Sequence, residues 1–406
     1  MRQAGAVAAR FLARRADRVL MNTYGPRTLA FSRGRGVWAW DSSGKKYLDL
    51  LGGVAVNSLG HNHPAVRRAV ESQARKIIHA SNLYLIEPQI ALAERLVRET
   101  FADRIFFCNS GAEANEAALK LARKYFYAKG ERRDQLVSFQ NSFHGRTTGA
   151  LALTAQEKYQ KPFRPLIGVE TALYNDLSDA SRKITNRTAA VFVELVQGEG
   201  GMETATPTFL AGLRRICSKH GAILVYDEVQ TGNARTGELY AYMHYGARLA
   251  PDLMTTAKGL AGGLPIAALL ARKPFSEAFE AGDHAATFGG NFLVCAAGCA
   301  VFDILSSPAF LKMVHRRAEF LWSRLRRIET RHADKIEGLR GIGLMAGIRL
   351  KNPHSSRALR DRLHARRILA GMSGDRVLRL TPPLIISERE IEIGLRAIDE
   401  EIEKIR

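Results

Sequence analysis

Short apolar segments alternate with helix-length amphipathic segments between residues 87 and 305, and this alternation restricts the fold more than any other feature of the sequence. Strands that are joined through helices run parallel within one sheet, and the helices then cover both faces of that sheet. The sequence therefore predicts an α/β fold with a mostly parallel central sheet. Four apolar segments are predicted to be its buried strands: residues 105–108, 136–139, 189–196 and 222–226.

The two ends of the chain are predicted to form a smaller domain beside that sheet. The chain has 406 residues, and single cores stop growing at roughly 250–300 residues. Residues 37–40 and 46–50 flank a turn signal and predict a hairpin. Strands at 344–350 and 377–380, a helix at 307–331 and a last helix from Ser387 are predicted near the C-terminus. We predict an N-terminal segment with part of the small domain at 1–50, a large domain at 51–305 and a C-terminal small domain at 306–406.

A formal net charge of +20 raises the question of nucleic-acid binding. The basic residues are spread along the whole chain, as at Arg132-Arg133 and Arg366-Arg367, and no aromatic-interleaved basic stripe accompanies them. We interpret the charge as a scattered, solvated surface charge and predict no nucleic-acid partner. No uninterrupted apolar run reaches about 18 residues, so we also predict no membrane span.

The four cysteines predict neither a disulfide framework nor a metal site. Cys295 and Cys299 lie four residues apart and thus on one helix face, but no further ligands are near, and we interpret them as buried small hydrophobic residues. Residues 1–15 contain four arginines and no acidic residue, as transit peptides do, although the segment is short and poor in serine. We expect a cytoplasmic protein, with the mitochondrion or plastid as the alternative.

Residues 105–115 form the most informative short segment. A predicted strand ends at Cys108 and leads through Ser110-Gly111 into a helix. The first N–H groups of a helix are free, and with the positive end of the helix dipole they suit a phosphate group. An ordinary N-capped helix has the same pattern, so this segment alone leaves phosphate binding open.

An acidic pair, Asp227-Glu228, directly follows the apolar strand at 222–226. Ligands of open α/β sheets bind at the carboxyl ends of the strands. A carboxylate there could keep the ring nitrogen of a pyridinium cofactor protonated. A helix N-cap or a metal ligand would use the same residue type, so Asp227 is ambiguous by itself.

Lys258 lies among threonine, alanine, glycine and leucine residues at 254–265. Lysines are seldom buried unless they are engaged. Desolvation lowers the pKa of a lysine and makes its amine available as a nucleophile. The apolar neighbours argue against the alternative, a lysine in a surface loop.

The three segments are far more specific in this order than singly, because a phosphate-binding turn, a carboxylate and a lysine on successive strands are typical of pyridoxal-phosphate enzymes. In these segments, and over almost all of residues 22–383, the sequence resembles the class-III (ornithine-type) aminotransferases. The further motifs that carry the resemblance are Asn57-Ser58-Leu59-Gly60-His61, Phe143-His144-Gly145-Arg146, Gln197-Gly198-Glu199-Gly200-Gly201, Asp227-Glu228-Val229-Gln230 and Thr287-Phe288-Gly289-Gly290-Asn291.

The resemblance implies the pyridoxal-phosphate transferase fold of type I. The large domain would contain a mostly parallel seven-stranded sheet flanked by helices and would bind pyridoxal 5'-phosphate. The small domain would be α+β and built from the two chain ends. Two residues would be catalytic: Lys258 holds the cofactor covalently and moves the protons, and Asp227 pairs with the pyridine nitrogen. His144 is interpreted as structural.

The remaining cofactor-binding residues are implied by the same resemblance. Phe143 would stack on the ring, and Gln230 would reach its phenolic oxygen. Thr287 would bind the phosphate of the neighbouring subunit, which implies a homodimer with shared sites. The phosphate turn and the residues beside Asp227 complete the set: Ser110, Gly111, Ala112, Glu228 and Val229.

The resemblance implies that two arginines and one movable carboxylate recognise the substrates. Arg146 would hold the carboxylate of the acylated ornithine and later the distal carboxylate of glutamate. Arg379 would bind the α-carboxylate of glutamate, and Glu199 would mask Arg379 during the ornithine half-reaction. Tyr24 and Ala286 also lie at substrate-contacting positions. Among class-III members, the motifs are most similar to those that transfer the terminal amine of N2-acetylornithine to 2-oxoglutarate, giving N-acetylglutamate 5-semialdehyde and glutamate in arginine synthesis.

Several positions depart from the usual family pattern, and they put substrate affinity rather than catalysis in question: Ala112, Leu195, Asn233, Ala286 and Phe292. The alternative substrates are ornithine, succinylornithine, succinyl-diaminopimelate and a substrate bound to a carrier protein. An aminomutase would use the same cofactor without an amino acceptor, which the presence of both Glu199 and Arg379 argues against. A degenerate relative that binds nucleic acid without activity is the non-enzymatic alternative.

Overall fold

The computed structural model describes residues 2–24, 27–353 and 355–405, and of residues 2–8 and 10 it describes the backbone alone. The strands of this part of the chain are β1 (Phe31–Arg35), β2 (Trp38–Asp41), β3 (Lys46–Asp49), β4 (Arg104–Cys108), β5 (Gln135–Phe139), β6 (Val169–Ala172), β7 (Thr188–Glu194), β8 (Val196–Gln197), β9 (Glu203–Thr204), β10 (Ile223–Asp227), β11 (Leu253–Thr256), β12 (Ala267–Ala271), β13 (Ile336–Ile342), β14 (Met345–Leu350), β15 (Ile368–Leu369), β16 (Gly371–Ser373) and β17 (Val377–Leu380).

The helices of the same residues connect and cover these strands. They are α1 (Arg2–Val19), α2 (Gly52–Ala55), α3 (Pro64–Ala74), α4 (Glu87–Glu99), α5 (Gly111–Ala128), α6 (Thr148–Leu153), α7 (Glu157–Gln160), α8 (Leu177–Lys183), α9 (Pro207–His220), α10 (Phe292–Leu305), α11 (Pro308–Arg331), α12 (Ser355–Ala365) and α13 (Glu388–Glu403). Short 3-10 turns occur at Lys161–Phe163, Ala241–Tyr245, Ala247–Leu249, Lys258–Ala261 and Phe275–Glu277.

The central sheet has seven strands in the order β4-β12-β11-β10-β7-β5-β6 within the described residues. Its strands run parallel except β12, which is antiparallel to both of its neighbours. Strands β7, β10, β11 and β12 are buried along their whole length, as expected for a sheet covered on both faces. The α/β fold class and the mostly parallel seven-stranded sheet are confirmed.

Alternate residues of β10 belong to different hydrophobic clusters, which shows how the two faces are covered. Leu224 and Tyr226 pack into the larger cluster, together with residues of α4, α9 and α10. Ile223 and Val225 face the other cluster, which the apolar side of α5 covers. Because side chains of a strand alternate between the two faces, a continuous apolar run is what a doubly covered strand requires.

Two four-stranded sheets are built from the ends of the chain, and one of them combines strands from both ends. The terminal sheet has the order β1-β2-β3-β15, and β15 pairs in parallel with β3, so the N-terminal hairpin is extended by a C-terminal strand. The C-terminal sheet has the order β13-β14-β17-β16 and is antiparallel. The predicted hairpin of residues 37–50 is confirmed as β2 and β3. The domain boundaries at residues 50 and 305 stay a prediction.

The predicted strand at 189–196 is wrong at its end. β7 stops at Glu194, and Val196 with Gln197 forms the separate strand β8, which pairs with β9. The Leu195 carbonyl accepts from the Ala205 N–H, so the chain leaves the central sheet at that residue.

Membrane-spanning potential is confined to one bent pair. No single helix of the described residues is long and apolar enough to cross a membrane. Helices α10 and α11, which meet at a bend of 68°, would together be long and apolar enough, by length and composition alone.

Candidate active site

A cavity of about 440 Å³ lies where β4, β5, β7, β10 and β11 end. Carboxyl ends of parallel strands meet at one edge of a sheet, and this edge is where open α/β folds bind ligands. Ten of the residues predicted from the sequence line this one cavity: Ser110, Gly111, Ala112, Phe143, Arg146, Glu199, Asp227, Val229, Gln230 and Lys258.

The start of α5 forms one wall of the cavity. Ser110 is its N-cap, and its hydroxyl oxygen accepts from the Glu113 N–H at 3.3 Å. The N–H groups of the first helical turn have no carbonyl partner within the helix. At Gly111 a Cβ atom would lie 2.7 Å from Cγ1 of Val229, so glycine is required by close packing there. This wall offers backbone donors and the positive end of a helix dipole to an anion.

Asp227 lies at the end of β10 and is held by three donors. Its Oδ2 atom accepts from Asn115 Nδ2 at 2.8 Å and lies 2.7 Å from Nδ1 of His144. Its Oδ1 atom accepts from the Val229 N–H at 3.0 Å. Thr255 donates to Asn115 Oδ1 at 3.0 Å and fixes the amide in turn. These contacts leave the carboxylate one orientation toward the cavity.

The environment of His144 keeps a proton on its ring. Burial by itself would lower the pKa of His144, but the hydrogen bond and negative charge of Asp227, together with the charge of Glu194, raise it. Nδ1 therefore carries a proton that it donates to Asp227.

Lys258 lies two residues after the last residue of β11 and has an unusual backbone conformation. Its φ is +43°, in the left-handed region that costs a non-glycine residue free energy. Burial lowers the pKa of Lys258 to about 8, aided by the positive charge of Arg379 and opposed by nearby carboxylates. A substantial fraction of the amine is neutral near physiological pH and can act as a nucleophile or base.

Glu194 is a buried carboxylate of this site that the sequence analysis did not single out. Burial raises the pKa of Glu194 to about 8, opposed by the charge of His144 and aided by that of Asp227. Its Oε2 atom accepts from the Phe143 N–H at 3.0 Å, which holds the backbone below the aromatic ring. The available signal was an acid at the end of the otherwise apolar segment 188–194.

The two predicted arginines have different environments. Arg379 is buried, pairs with Glu199, and donates to the Gly198 carbonyl at 3.1 Å. Arg146 is exposed, and its guanidinium lies 3.7 Å from the ring centroid of Tyr159, a contact the sequence analysis missed. No carboxylate among the described residues lies within ion-pair distance of Arg146, so its charge is available to a ligand.

Gln230 lines the cavity and offers an unsatisfied acceptor. Its side chain is buried, and Oε1 has no hydrogen-bond partner within the described chain. Gly198 has no room for a Cβ atom, which would lie 2.1 Å from this oxygen. Buried polar atoms without a partner are rare in native proteins.

Five predicted site residues do not line the cavity, and one of them, Arg379, contacts it through its partner Glu199. Glu228 is buried, and its carboxylate accepts from the N–H groups of residues 241 and 242 at 2.9 and 2.8 Å and from Thr231 at 2.7 Å, so it supports a neighbouring loop instead. Tyr24 is 83% exposed. Thr287 is exposed and Ala286 half-buried, on the segment that Asn82 ties down through the Ala286 and Gly289 carbonyls.

Comparisons with known proteins agree on one family. The model of the aminotransferase class-III family matches residues 20–402. A succinylornithine transaminase from Yersinia enterocolitica is 44% identical over 96% of this chain and 96% of its own. An acetylornithine aminotransferase from Caldanaerobacter subterraneus is 43% identical over 95% of this chain and 98% of its own. The structure of an N-acetylornithine aminotransferase from Stenotrophomonas maltophilia superposes with a TM-score of 0.82, at 34% identity, over 94% of this chain and 98% of its own.

Proposed function

Because the chain belongs to the class-III aminotransferases, we propose that it transfers the terminal amino group of N2-acetylornithine to 2-oxoglutarate, giving N-acetylglutamate 5-semialdehyde and glutamate. The observation that carries this proposal is the contrast between two arginines. Arg146 lines the cavity without an ion-pair partner in the described residues, whereas Arg379 is masked by Glu199, which lines the same cavity. Succinylornithine is the second candidate donor, because a relative of that name is as similar as the acetylornithine enzyme.

The cofactor of this family is pyridoxal 5'-phosphate, and the residues present fit it. The free N–H groups at the start of α5 suit the phosphate. Asp227 would pair with the ring nitrogen, and the Gln230 side chain lines the same cavity, where its amide can reach a polar group of the ligand. When bound, the cofactor withdraws electrons from the carbon that bears the amino group and makes its proton acidic.

The residues of this chain then divide the work of proton transfer. The Nζ atom of Lys258 would accept and return the proton of that carbon, which its lowered pKa permits. Asp227 would hold a proton at the ring nitrogen, and His144 and Asn115 keep its carboxyl group in place. The backbone bond from Phe143 to Glu194 orients the aromatic ring beside the cavity.

The arginines explain how one cavity serves two substrates. The paired guanidinium of Arg379 offers no free charge beside the terminal amine of an acylornithine. When Glu199 moves aside, Arg379 can bind the α-carboxylate of glutamate while Arg146 binds its distal carboxylate. Arginine and carboxylate form directional, bidentate pairs, so the two positions select the length of the dicarboxylate.

A homodimer is part of the proposal. Large apolar side chains are exposed on the segments around Thr287, as expected of a subunit interface. They are Ile77, Ile78, Leu83, Tyr84, Leu85 and Phe288. We propose that a second subunit covers them and that Thr287 completes the neighbour's phosphate site. The bacterial relatives support a cytoplasmic location.

A panel of amino donors with 2-oxoglutarate tests the function. We expect kcat/KM for N2-acetylornithine to exceed that for ornithine, because the acylated substrate presents one free amine and the carboxylate that Arg146 binds. A tenfold preference for free ornithine would contradict the proposal, and a preference for succinylornithine would move it to the second candidate. Turnover without 2-oxoglutarate would indicate an aminomutase. Lys258→Ala is the inactive control.

A further inference from the structure

Ser373 bridges the two ends of the turn that carries Glu199. It is the last residue of β16 and is fully buried. Its hydroxyl donates to the Gly198 carbonyl at 2.7 Å and accepts from the Gly201 N–H at 2.8 Å. A single hydroxyl from the C-terminal sheet therefore fastens residues 198 and 201, with Glu199 between them.

The turn itself belongs to the central part of the chain. Its own backbone closes it, since the N–H groups of Gly200 and Met202 both donate to the Gln197 carbonyl. Gly200 has no room for a side chain, because a Cβ atom would lie 2.6 Å from the Asn141 carbonyl oxygen. The turn is closed by its own backbone, and Ser373 connects it to the C-terminal sheet.

Arg379 and Ser373 reach the same carbonyl from adjacent strands. Strands β16 and β17 pair antiparallel, with Ser373 opposite Val377 and Gly371 opposite Arg379. Both side chains donate to the Gly198 oxygen, at 2.7 Å from Ser373 and 3.1 Å from Arg379. Strand β17, which carries Arg379, and its neighbour β16 therefore both hold the turn that places Glu199 beside Arg379.

A second cavity beside Glu199 provides space for another position of its side chain. It has a volume of about 800 Å³, is lined mainly by polar residues, and lies between residues 140–171 and the C-terminal sheet. Glu199 lines both cavities, and Ser373 lines the second. With both ends of the turn fastened, Glu199 can enter this space by rotating its side chain but not by displacement of the turn.

We propose that Ser373 is a positioning residue that sets how firmly Glu199 masks Arg379, and therefore how the enzyme balances its two substrates. This inference rests on the proposed function. Loss of the hydroxyl frees the turn, weakens the ion pair and makes Arg379 more available to the α-carboxylate of glutamate. The acylornithine half-reaction does not use a free Arg379 and is much less affected.

Rapid-mixing kinetics of the separate half-reactions test the proposal. In Ser373→Ala we expect the KM for glutamate to fall about three- to tenfold, the size of effect of one hydrogen bond, with kcat unchanged. In the same variant we expect kcat/KM for acetylornithine to stay within about twofold of the wild-type value. Tighter binding of glutarate, a dicarboxylate without an amine, measured by calorimetry, provides a readout independent of turnover.

The chain offers a matched control in Ser356, a buried serine of α12 whose hydroxyl has no partner in the described residues. Ser356→Ala should leave both half-reactions and glutarate binding unchanged, and Ser373→Thr, which keeps a hydroxyl, should restore the wild-type balance. If Ser373→Ala does not fold, Ser373→Cys keeps the volume with a weaker donor.

Two outcomes distinguish a failure of the role of Ser373 from a failure of the proposed function. If the KM for glutamate and the Kd for glutarate in Ser373→Ala match those of Ser356→Ala, the positioning role is wrong. If wild-type enzyme does not react with acetylornithine, the proposed function fails, while the glutamate half-reaction and glutarate binding still decide the role of Ser373.

Discussion

Lys258 combines a strained backbone with an amine whose pKa is lowered to about 8, chiefly by burial. A lowered pKa means that the neutral, nucleophilic form increases as the pH rises through 8. We therefore predict that the rate at which cofactor-free enzyme takes up pyridoxal phosphate rises roughly tenfold between pH 7 and 9, as the neutral fraction does. Absorbance of the bound cofactor measures it in stopped-flow mixing.

Arg379 provides the matched control for this pH dependence, because its positive charge is the second cause of the lowered pKa. Arg379→Gln should move the profile to higher pH. A rate that is flat from pH 7 to 9 in the wild type would show that the free amine titrates elsewhere.

The residues that the sequence analysis missed share one property, which is that their partners are distant in sequence. Glu194 lies 51 residues from Phe143, and Ser373 lies 175 residues from Gly198. Neither periodicity nor local motif reports such a contact. Lys258 and Asp227 were recognisable because the strand before each is read locally from its apolar residues.

At the scale of elements, strand and helix composition did not always agree with the fold. β12 has the sequence Ala-Ala-Leu-Leu-Ala, which favours a helix by intrinsic propensity, yet it is a buried central strand. Packing between β11 and β4 decides its conformation, and propensity alone does not reveal that packing. The strands at 105–108 and 222–226 were predictable because β-branched and aromatic residues fill them.

The packing of α5 against the loop after β10 yields a prediction for cofactor affinity. In Gly111→Ala the new methyl group would lie 2.7 Å from Cγ1 of Val229, so the helix start must shift. Overpacking of this kind costs about 1–3 kcal/mol, and we expect the Kd for pyridoxal phosphate to rise about tenfold. Equilibrium dialysis measures it.

Val229→Ala removes the atoms that the new methyl group would meet. The double variant Gly111→Ala/Val229→Ala should recover most of the lost affinity relative to Gly111→Ala. A double variant that binds the cofactor no better than the single one would mean that the glycine is needed for another reason.

At the scale of the whole molecule, Arg235 joins the central part of the chain to the C-terminal sheet. It is fully buried, and its Nη1 atom donates to the carbonyls of Leu344 and Pro382 at 3.1 and 2.5 Å. The N–H of Leu344 donates back to the Arg235 carbonyl. Burial lowers the pKa of Arg235 to about 9, which shows how thoroughly the guanidinium is removed from water.

We predict that Arg235→Ala lowers the free energy of unfolding by about 3–5 kcal/mol, because it leaves a cavity and two buried carbonyls without donors. Arg235→Met restores the volume but not the hydrogen bonds and should recover part of the loss. Chemical denaturation of the cofactor-loaded enzyme measures both variants. A change below about 1 kcal/mol in Arg235→Ala would exclude this connection as a source of stability.

The backbone donors at the start of α5 have a consequence for how such an enzyme can diverge. Ala112 offers an N–H group that a change of its side chain does not remove, whereas Val229 leaves no room for a side chain at Gly111. Substrate choice depends instead on side chains, namely Arg146, Arg379, Glu199 and the serine that holds its turn. Point substitutions can therefore alter which amine is accepted while the grip on the phosphate persists. Accumulating substitutions in such an enzyme should therefore change its substrate preference before they abolish cofactor binding.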